Sequence, residues 1–427
     1  MAVALVMGNM IGSGIFLLPS ALASYGGIGL LGWLVSAVGS VLLALVFARM
    51  SRFNPASGGP YAFTRQGFGD LAGFLVAWGY WVSVCCGNAA IALAFVGYLE
   101  PFIPNLVHQP VAAAAMAAGA VWVLTAVNVC GIREAAQVQV VTTVLKILPL
   151  ALVGAAAFVL FNPAAFSVAH AGVRTMAVQL STASAMTFWA FGGLESATIP
   201  AGSVANPERT IPRATIVGTV LTAIIYIVST VGVMSVVPAE LLKTSTAPFA
   251  DAARTFAGNW AAAAVAAGAS VACFGALNGW ILISGQVPLA IAGDGLFPRV
   301  FGSLSSRGTP ARGLVISSVM TTGLIALNAT RNLVDLFTFI ILLGTLNALV
   351  PYTFCSLAGF LIDRGRRQRR AGASRSATII AALAFLYSLW MIGGAGTDVV
   401  YWGFLLLLAG LPVYVWVITH RDREIQN

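Results

Sequence analysis

One acidic residue, Glu195, lies inside an apolar stretch of sequence long enough to cross a membrane. It belongs to the segment 189–196 (WAFGGLES), whose two adjacent glycines interrupt a helical pattern. An unpaired, charged carboxyl group in a bilayer costs several kcal/mol, so a carboxyl group at this depth indicates a functional site. The alternative is a neutral acid that bonds to neighbouring backbone.

A second interruption lies near the start of the chain, in the segment 9–16 (NMIGSGIF). Glycines let a helix unwind, and unwinding frees N–H groups that suit a carboxylate and carbonyl groups that suit an ammonium. The ligand-facing set predicted here is Asn9, Met10, Ile11, Gly12, Ser13 and Gly14. The alternative is a packing seam of small residues, formed by Gly8 and Gly12.

The two interruptions resemble each other. In both, a proline follows a glycine by seven positions, as in Gly12 to Pro19 and Gly193 to Pro200. They fall in the first and sixth apolar spans, so equivalent positions are five spans apart and the second copy enters the membrane from the opposite face. Broken helices in matching positions of two halves indicate a transporter binding site.

Other polar or aromatic residues also lie in apolar spans. Lys146 is the single basic residue predicted inside the membrane; buried lysines can take part in proton coupling, and snorkelling is the alternative. The faces of Trp189 and Trp280 can bind cations. Asn88 and Tyr80 lie in the middle of the third span and need polar partners, although helix–helix hydrogen bonding would explain each as well.

The composition supports a membrane protein. The chain has 427 residues, of which 59% are hydrophobic and 8% charged, whereas soluble domains carry about 25% charged residues. This excludes an ordinary soluble enzyme and a disulfide scaffold. The five cysteines and three histidines form no metal-binding pattern, so we expect neither a metal nor a cofactor. The basic run 363–370 predicts contact with anionic lipid rather than with nucleic acid.

The hydropathy pattern predicts an all-α polytopic protein with about twelve spans, each of about 20 residues. The predicted spans are 2–23, 27–50, 68–99, 110–130, 136–161, 178–202, 213–237, 259–292, 311–328, 333–361, 377–395 and 399–419. If the first terminus is inside, the inner segments hold 17 basic residues and the outer segments 4. The positive-inside rule therefore predicts that both termini are cytoplasmic.

Four segments resemble motifs of the amino acid–polyamine–organocation transporter family: 8–19 (GNMIGSGIFLLP), 54–61 (NPASGGPY), 206–214 (NPERTIPRA) and 294–298 (DGLFP). The similarity covers nearly the whole chain and is greatest to exchangers of basic amino acids and polyamines, such as the bacterial arginine/agmatine antiporter. It implies a LeuT-type fold in the inner membrane, with 1–161 and 178–361 as inverted repeats of five helices and 377–419 as the last two helices. It also implies a homodimer.

The resemblance also implies roles for individual residues. Ser13 and Gly14 would receive the carboxylate of a substrate, and backbone carbonyls around Met10, Trp189 and Gly192 its amino group. Trp189 would stack on the substrate side chain, Trp280 would line the pocket, and Asn88 would contact the distal polar end. Roles in gating or proton response fall to Tyr80, Glu195 and Tyr352.

The sequence departs from the arginine exchangers at three pocket positions. Ile91 replaces a methionine, Gly192 a bulkier aliphatic residue and Gly344 a serine. These departures predict a roomier and less polar distal pocket, which counts against arginine itself as the substrate. Lys146 matches a fifth-helix lysine of some proton-coupled relatives.

These observations predict a secondary transporter that exchanges a cationic amino acid for its amine or polyamine product. The alternative is a proton-coupled amino acid symporter that uses Lys146 or Glu195. A membrane enzyme is disfavoured because the sequence contains no nucleophile–base or metal constellation. A channel is disfavoured because broken helices around a closed midplane site are typical of carriers.

Overall fold

The computed structural model describes residues 2–53, 59–131, 147–166, 173–195, 206–327, 332–367 and 375–425. Within these ranges, every regular element is helical. The helices are α1 (Ala2–Met10), α2 (Ser13–Leu22), α3 (Gly27–Phe53), α4 (Gly59–Phe68), α5 (Asp70–Leu99), α6 (Pro110–Cys130), α7 (Ile147–Val159), α8 (Val173–Trp189), α9 (Pro207–Val236), α10 (Ala239–Leu242), α11 (Pro248–Gly293), α12 (Ala311–Leu327), α13 (Leu333–Arg367), α14 (Arg375–Gly394), α15 (Thr397–Leu408) and α16 (Gly410–Ile425).

Eight helices in the described part of the chain are long and apolar enough to cross a membrane, and two shorter apolar helices accompany them. The predicted fifth and sixth spans extend into residues 132–146 and 196–205, which lie outside the described residues, as does Lys146. The structure therefore establishes a polytopic helical protein. The count of twelve spans and the inverted repeats stay predictions.

Glycines at positive φ decide where two of the long helices begin or bend. Gly69, with φ of 87°, separates α4 from α5, so the third span begins at Asp70. Gly258, with φ of 78°, kinks α11, and the helix extends back from this kink to Pro248. The predicted start of the eighth span at residue 259 therefore coincides with the kink and not with the first residue of the helix. Both conformations favour glycine because a β-carbon is strained at such φ angles.

The helices pack in two sets of contacts. On one side α3 packs against α8 and α9, and α1 packs against α9; on the other, α5 packs against α11 and α13. Within the membrane, α5 is the most buried of the candidate spans. The two interruptions predicted from the sequence lie where these sets meet, at the ends of α1 and α8.

Polar side chains join α5 to its neighbours. Nε1 of Trp81 donates a hydrogen bond to the Ser317 hydroxyl at 2.8 Å. The Trp81 ring also meets Phe297 and Phe301 edge-on, with centroids 5.9 and 5.5 Å away. Interhelical hydrogen bonds and close aromatic packing are the forces available where water is absent. They hold α5 against α12 and against the segment that follows α11.

Candidate substrate site

The first interruption separates α1 from α2. The α1 helix ends at Met10, and Gly12 then adopts φ of −129° and ψ of −145°, which are not helical values. Two side chains from other helices reach the carbonyl groups at this end. Nε1 of Trp280 donates to the carbonyl oxygen of Asn9 at 3.2 Å, and the Tyr226 hydroxyl donates to that of Met10 at 2.5 Å. The unwinding predicted from the glycines is present.

The second interruption follows α8, which ends at Trp189. The next residues form tight turns: the N–H group of Gly192, for example, donates to the carbonyl oxygen of Trp189 at 3.0 Å. Gly193 has φ of 99°, a value that favours glycine. This turn brings Glu195 into the protein interior, where its side chain is fully buried.

The two interruptions lie side by side. A β-carbon placed on Gly14 would be 2.9 Å from the β-carbon of Ala190. Carbon atoms in contact are best separated by about 3.5–4.0 Å, so a side chain at position 14 would push the two segments apart. Gly14 is therefore required by the close approach of the interruptions.

A cavity of about 50 Å³ lies between the interruptions, α5, α11 and α13. A water molecule needs about 10–15 Å³ of such space, so the cavity has room for a few waters at most. Its lining residues are Asn9, Met10, Gly12, Gly14, Tyr80, Ser83, Val84, Gly87, Ile91, Phe188, Trp189, Ala190, Gly192, Gly193, Glu195, Trp280, Thr345, Ala348 and Tyr352.

Glu195 is held by two tyrosines. The hydroxyl groups of Tyr80 and Tyr352 each donate to one of its carboxyl oxygens, both at 2.6 Å. The three residues come from α5, the turn after α8, and α13, and all three are buried. Hydrogen bonds to a carboxylate are stronger than those between neutral groups. This arrangement gives the cavity one carboxyl group whose orientation is determined by two separate helices.

Trp189 and Trp280 provide the aromatic walls. One end of the Trp189 ring lies against the backbone of Gly87 on α5 and of Gly344 on α13; added β-carbons there would be 3.0 and 2.8 Å from the ring. The Trp280 ring lies near Gly193, where a β-carbon would be 3.1 Å away. Gly344 does not itself line the cavity and affects it through Trp189.

Most of the residues predicted for the site meet at this cavity. Asn88 and Ile11 are buried but do not line it, and the Oδ1 atom of Asn88 has no hydrogen-bond partner among the described residues. The side chain of Ser13 is outside the described part of the structure, so its role stays a prediction.

Sequence reasoning did not select several lining residues, and it did not select Tyr226. Tyr226 stands in an apolar run, so composition and spacing gave no signal for it. Gly193 was placed in the second interruption but not assigned to the site, and Gly87 could have been found from its proximity to Asn88 in the sequence. The others are ordinary apolar or small residues, which no local pattern distinguishes: Ser83, Val84, Phe188, Ala190, Thr345 and Ala348.

A polar cluster lies at the end of α11, beyond the cavity. Arg65 on α4 contacts Asp70 at 2.8 Å and Asp294 at 3.0 Å, and the Tyr61 hydroxyl donates to Asp294 at 2.8 Å. Burial, and next the hydrogen bond to Asp294, raise the pKa of Tyr61 well above its usual value. The cluster joins α4, α5 and the end of α11.

Buried helices long enough to cross a bilayer, together with a cavity at two broken helices, define a multi-pass membrane transporter. The sequence matches the family of amino acid permeases over residues 1–417, and the chain belongs to that family. In the described residues, no group of histidine, cysteine, aspartate or glutamate could hold a metal ion.

Three relatives of this chain are named as transporters. The chain is 36% identical to the cadaverine/lysine antiporter of Escherichia coli K12 over 366 residues, which cover 82% of this chain and 80% of that protein. It is 33% identical to a putative arginine/ornithine antiporter of Bacillus subtilis, covering 99% and 97%, and 31% identical to the putrescine transporter PotE of Escherichia coli K12, covering 96% and 93%. The protein is a transporter of the amino acid and polyamine type and not an enzyme.

Proposed function

We propose that the protein exchanges a cationic amino acid for its amine or polyamine product, with the cavity between the two interruptions as the substrate site. The observation that carries this proposal is the chemistry of the lining. It combines Met10 and Ala190, whose carbonyl groups lie at the ends of the two interrupted helices, with two indole rings and Glu195. Each of these groups attracts a cation, through a dipole, a ring quadrupole or a charge.

The relatives support the same substrate class, because all three are named for basic amino acids or diamines. A diamine has no carboxylate, so it depends on the carbonyl groups and the aromatic rings. An amino acid additionally uses the N–H groups at the start of α2, near Ser13 and Gly14, where a helix N-terminus attracts a carboxylate.

We propose that Asn88 receives the distal ammonium of a long substrate. Asn88 follows Gly87, the residue against which the Trp189 ring lies. Its Oδ1 atom is buried and has no partner in the part of the chain that the structure describes, and a buried unpaired acceptor is costly unless a ligand satisfies it in another state. The cavity of about 50 Å³ is too small for a long substrate, so the Trp189 ring moves when such a substrate binds and exposes Asn88.

Alternating access would follow from the family architecture. We propose a LeuT-type arrangement in the inner membrane, with residues 1–161 and 178–361 as inverted repeats and both termini in the cytoplasm. The position of the two interruptions and the excess of basic residues in the inner segments support it. In this arrangement Tyr80, Glu195 and Tyr352 form a hydrogen-bonded gate that can respond to protons, and Lys146 is a further candidate for proton coupling.

Uptake into proteoliposomes tests the exchange. The purified protein is reconstituted, and uptake of labelled lysine, ornithine, arginine or alanine is measured with the same compound, its amine product or nothing inside, with and without a proton gradient. We expect uptake of a basic amino acid that requires an internal basic amino acid or diamine. Uptake into empty vesicles driven by the proton gradient would reject exchange and establish the symporter instead.

A further inference from the structure

Tyr226 on α9 contacts both interruptions with a single hydroxyl group. Its oxygen lies 2.5 Å from the carbonyl oxygen of Met10 and 3.0 Å from that of Ala190. Met10 is the last residue of α1, and Ala190 is the first residue after α8. One side chain thus connects the two points at which the broken spans expose carbonyl groups.

The two carbonyl oxygens face a common region. Because both lie within hydrogen-bond distance of one oxygen atom, they are at most about 5.5 Å apart, the sum of the two distances. An ammonium group whose tetrahedral N–H bonds make N···O contacts of about 2.9 Å spans two acceptors about 4.7 Å apart, a separation within this limit. The Tyr226 hydroxyl has a single proton, which the two carbonyl oxygens share, and each oxygen has two lone pairs, so at least one on each is left for a ligand.

Tyr226 contacts these carbonyl groups from outside the cavity. Met10 and Ala190 line the cavity, whereas Tyr226 is fully buried and does not line it. Its ring packs against Trp33 with centroids 5.2 Å apart and meets Phe191 edge-on at 5.6 Å. Closely packed rings have little freedom to move, so the position of the hydroxyl group is set by the surrounding core.

We propose that Tyr226 is a positioning residue for ammonium recognition: its hydroxyl group holds the carbonyls of Met10 and Ala190 at the separation that one primary ammonium spans. The inference rests on the proposed function, since it assumes that the cavity binds an amine or amino acid. It adds a residue that touches no substrate but determines the geometry of the acceptors that do.

The test compares Tyr226→Phe with the matched control Tyr98→Phe. The Tyr98 hydroxyl also donates from a fully buried ring to a carbonyl oxygen of the first broken span, that of Phe16, at 2.7 Å. Neither Tyr98 nor Phe16 lines the cavity. The Tyr98 hydroxyl makes a second contact as well, since it accepts from the N–H group of Phe249 at 3.3 Å. Both substitutions therefore remove one buried hydroxyl group with two hydrogen-bond contacts, and only Tyr226 contacts the carbonyls of the proposed ammonium site.

The ligand-induced rise in melting temperature of the full-length protein in detergent measures binding. Lysine, cadaverine and alanine are titrated against each variant. We expect Tyr226→Phe to raise the half-maximal concentration of each ligand that binds by about tenfold, the effect of one lost hydrogen bond. Tyr98→Phe should change it by less than about twofold. Equal effects of the two substitutions would overturn the proposal.

Ligand methylation separates positioning from general destabilisation. N-methylation removes the N–H donors that the carbonyls accept, so it should weaken binding to the wild type. We expect this loss to be several-fold smaller in Tyr226→Phe, whose carbonyls are already misplaced. A methylation penalty of the same size in both proteins would reject the positioning role, because a purely structural effect would leave it unchanged.

A second variant covers the case in which Tyr226→Phe does not fold. Trp33→Phe keeps the Tyr226 hydroxyl but loosens the packing of its ring, and we expect an intermediate loss of affinity of about threefold. Unchanged binding in Trp33→Phe would then reject the proposal. Alanine distinguishes failure of this proposal from failure of the proposed function. If the wild type binds alanine and no cationic ligand, the proposed exchange is rejected, and the effect of Tyr226→Phe on alanine binding still tests the positioning role.

Discussion

The ring of Trp189 lies directly against the backbone of Gly344, where an added β-carbon would be 2.8 Å from Cζ3 of the indole. The two residues come from different spans, and neither position would suggest the contact by itself. Carbon atoms are best separated by about 3.5–4.0 Å, so the absence of a side chain at position 344 determines where the ring can lie. The ring position in turn determines how much of the cavity is free.

Gly344→Ala should lower the affinity for cationic substrates by about tenfold, because the added methyl group pushes the indole into the small cavity. Overpacking of this kind costs about 1–3 kcal/mol. The affinity is measured in the exchange assay, from the concentrations of unlabelled lysine and cadaverine that inhibit uptake of a labelled substrate. Gly359→Ala is the matched control on the same helix, since the one described atom within 4 Å of its β-carbon would be Sδ of Met50, at 3.9 Å. Equal affinities in the two variants would contradict the role of the contact.

Glu195→Gln should flatten the pH dependence of transport and reduce its rate. Glutamine keeps the size of the side chain but cannot ionise, and its amide presents a donor to one of the two tyrosine hydroxyls, which must then accept. Exchange measured from acid to neutral pH checks this. Glu208→Gln, which removes an exposed carboxyl group on α9, is the control. An unaltered pH profile in Glu195→Gln would assign the residue a structural role only.

Trp280→Ala should weaken the binding of a cationic substrate about 30-fold, equivalent to about 2 kcal/mol for a desolvated cation–π contact. The substitution also removes the donor to the Asn9 carbonyl oxygen. The measurement is the affinity of the purified protein in detergent for lysine and cadaverine. Trp402→Ala serves as the control, because that ring is 53% exposed on α15. Comparable losses in the two variants would remove Trp280 from the site.

Asn88→Ala should lower the affinity for lysine and cadaverine by about tenfold and leave the affinity for alanine unchanged, since only a long substrate reaches the Oδ1 atom. A hydrogen bond to a charged group contributes about 1.5–3 kcal/mol. Binding of all three ligands to one purified variant checks the prediction, with alanine as the internal control. An equal loss of affinity for alanine would show that the substitution acts through altered packing and not through recognition of the distal ammonium.

Tyr61→Phe should lower the stability of the protein by about 1.5 kcal/mol, through the lost hydrogen bond to Asp294. Because burial and this bond raise the pKa of Tyr61 above its ordinary value of 10.0, the hydroxyl stays protonated and the stabilisation is fully present below that value. It is lost only when the pH rises through the raised pKa.

Melting curves of the wild type and Tyr61→Phe in detergent, from neutral to alkaline pH, measure this difference. The difference in melting temperature between the wild type and the variant should be constant through neutral pH and should become smaller only at strongly alkaline pH. Tyr401→Phe, at a side chain that is 60% exposed, should show no gap. A gap that closes already near neutral pH would contradict the assignment.

The sequence by itself determined the class of the protein and the location of its special features. Long apolar segments require helices that cross a membrane, and these follow from composition alone. The interruptions at Gly12 and Gly193 could also be placed, because glycine changes the local conformational freedom of the backbone. Glu195 could be selected because a carboxyl group in an apolar span is costly wherever its partners are.

Only the tertiary structure decided which residues meet. Glu195 bonds to Tyr80, 115 residues away, and to Tyr352, 157 residues away. The contact of Tyr226 with two broken spans, and that of Trp189 with Gly344, depend on how helices distant in sequence pack together. Such contacts arise from the shapes of facing helix surfaces, and these shapes leave no periodic or compositional mark on either segment.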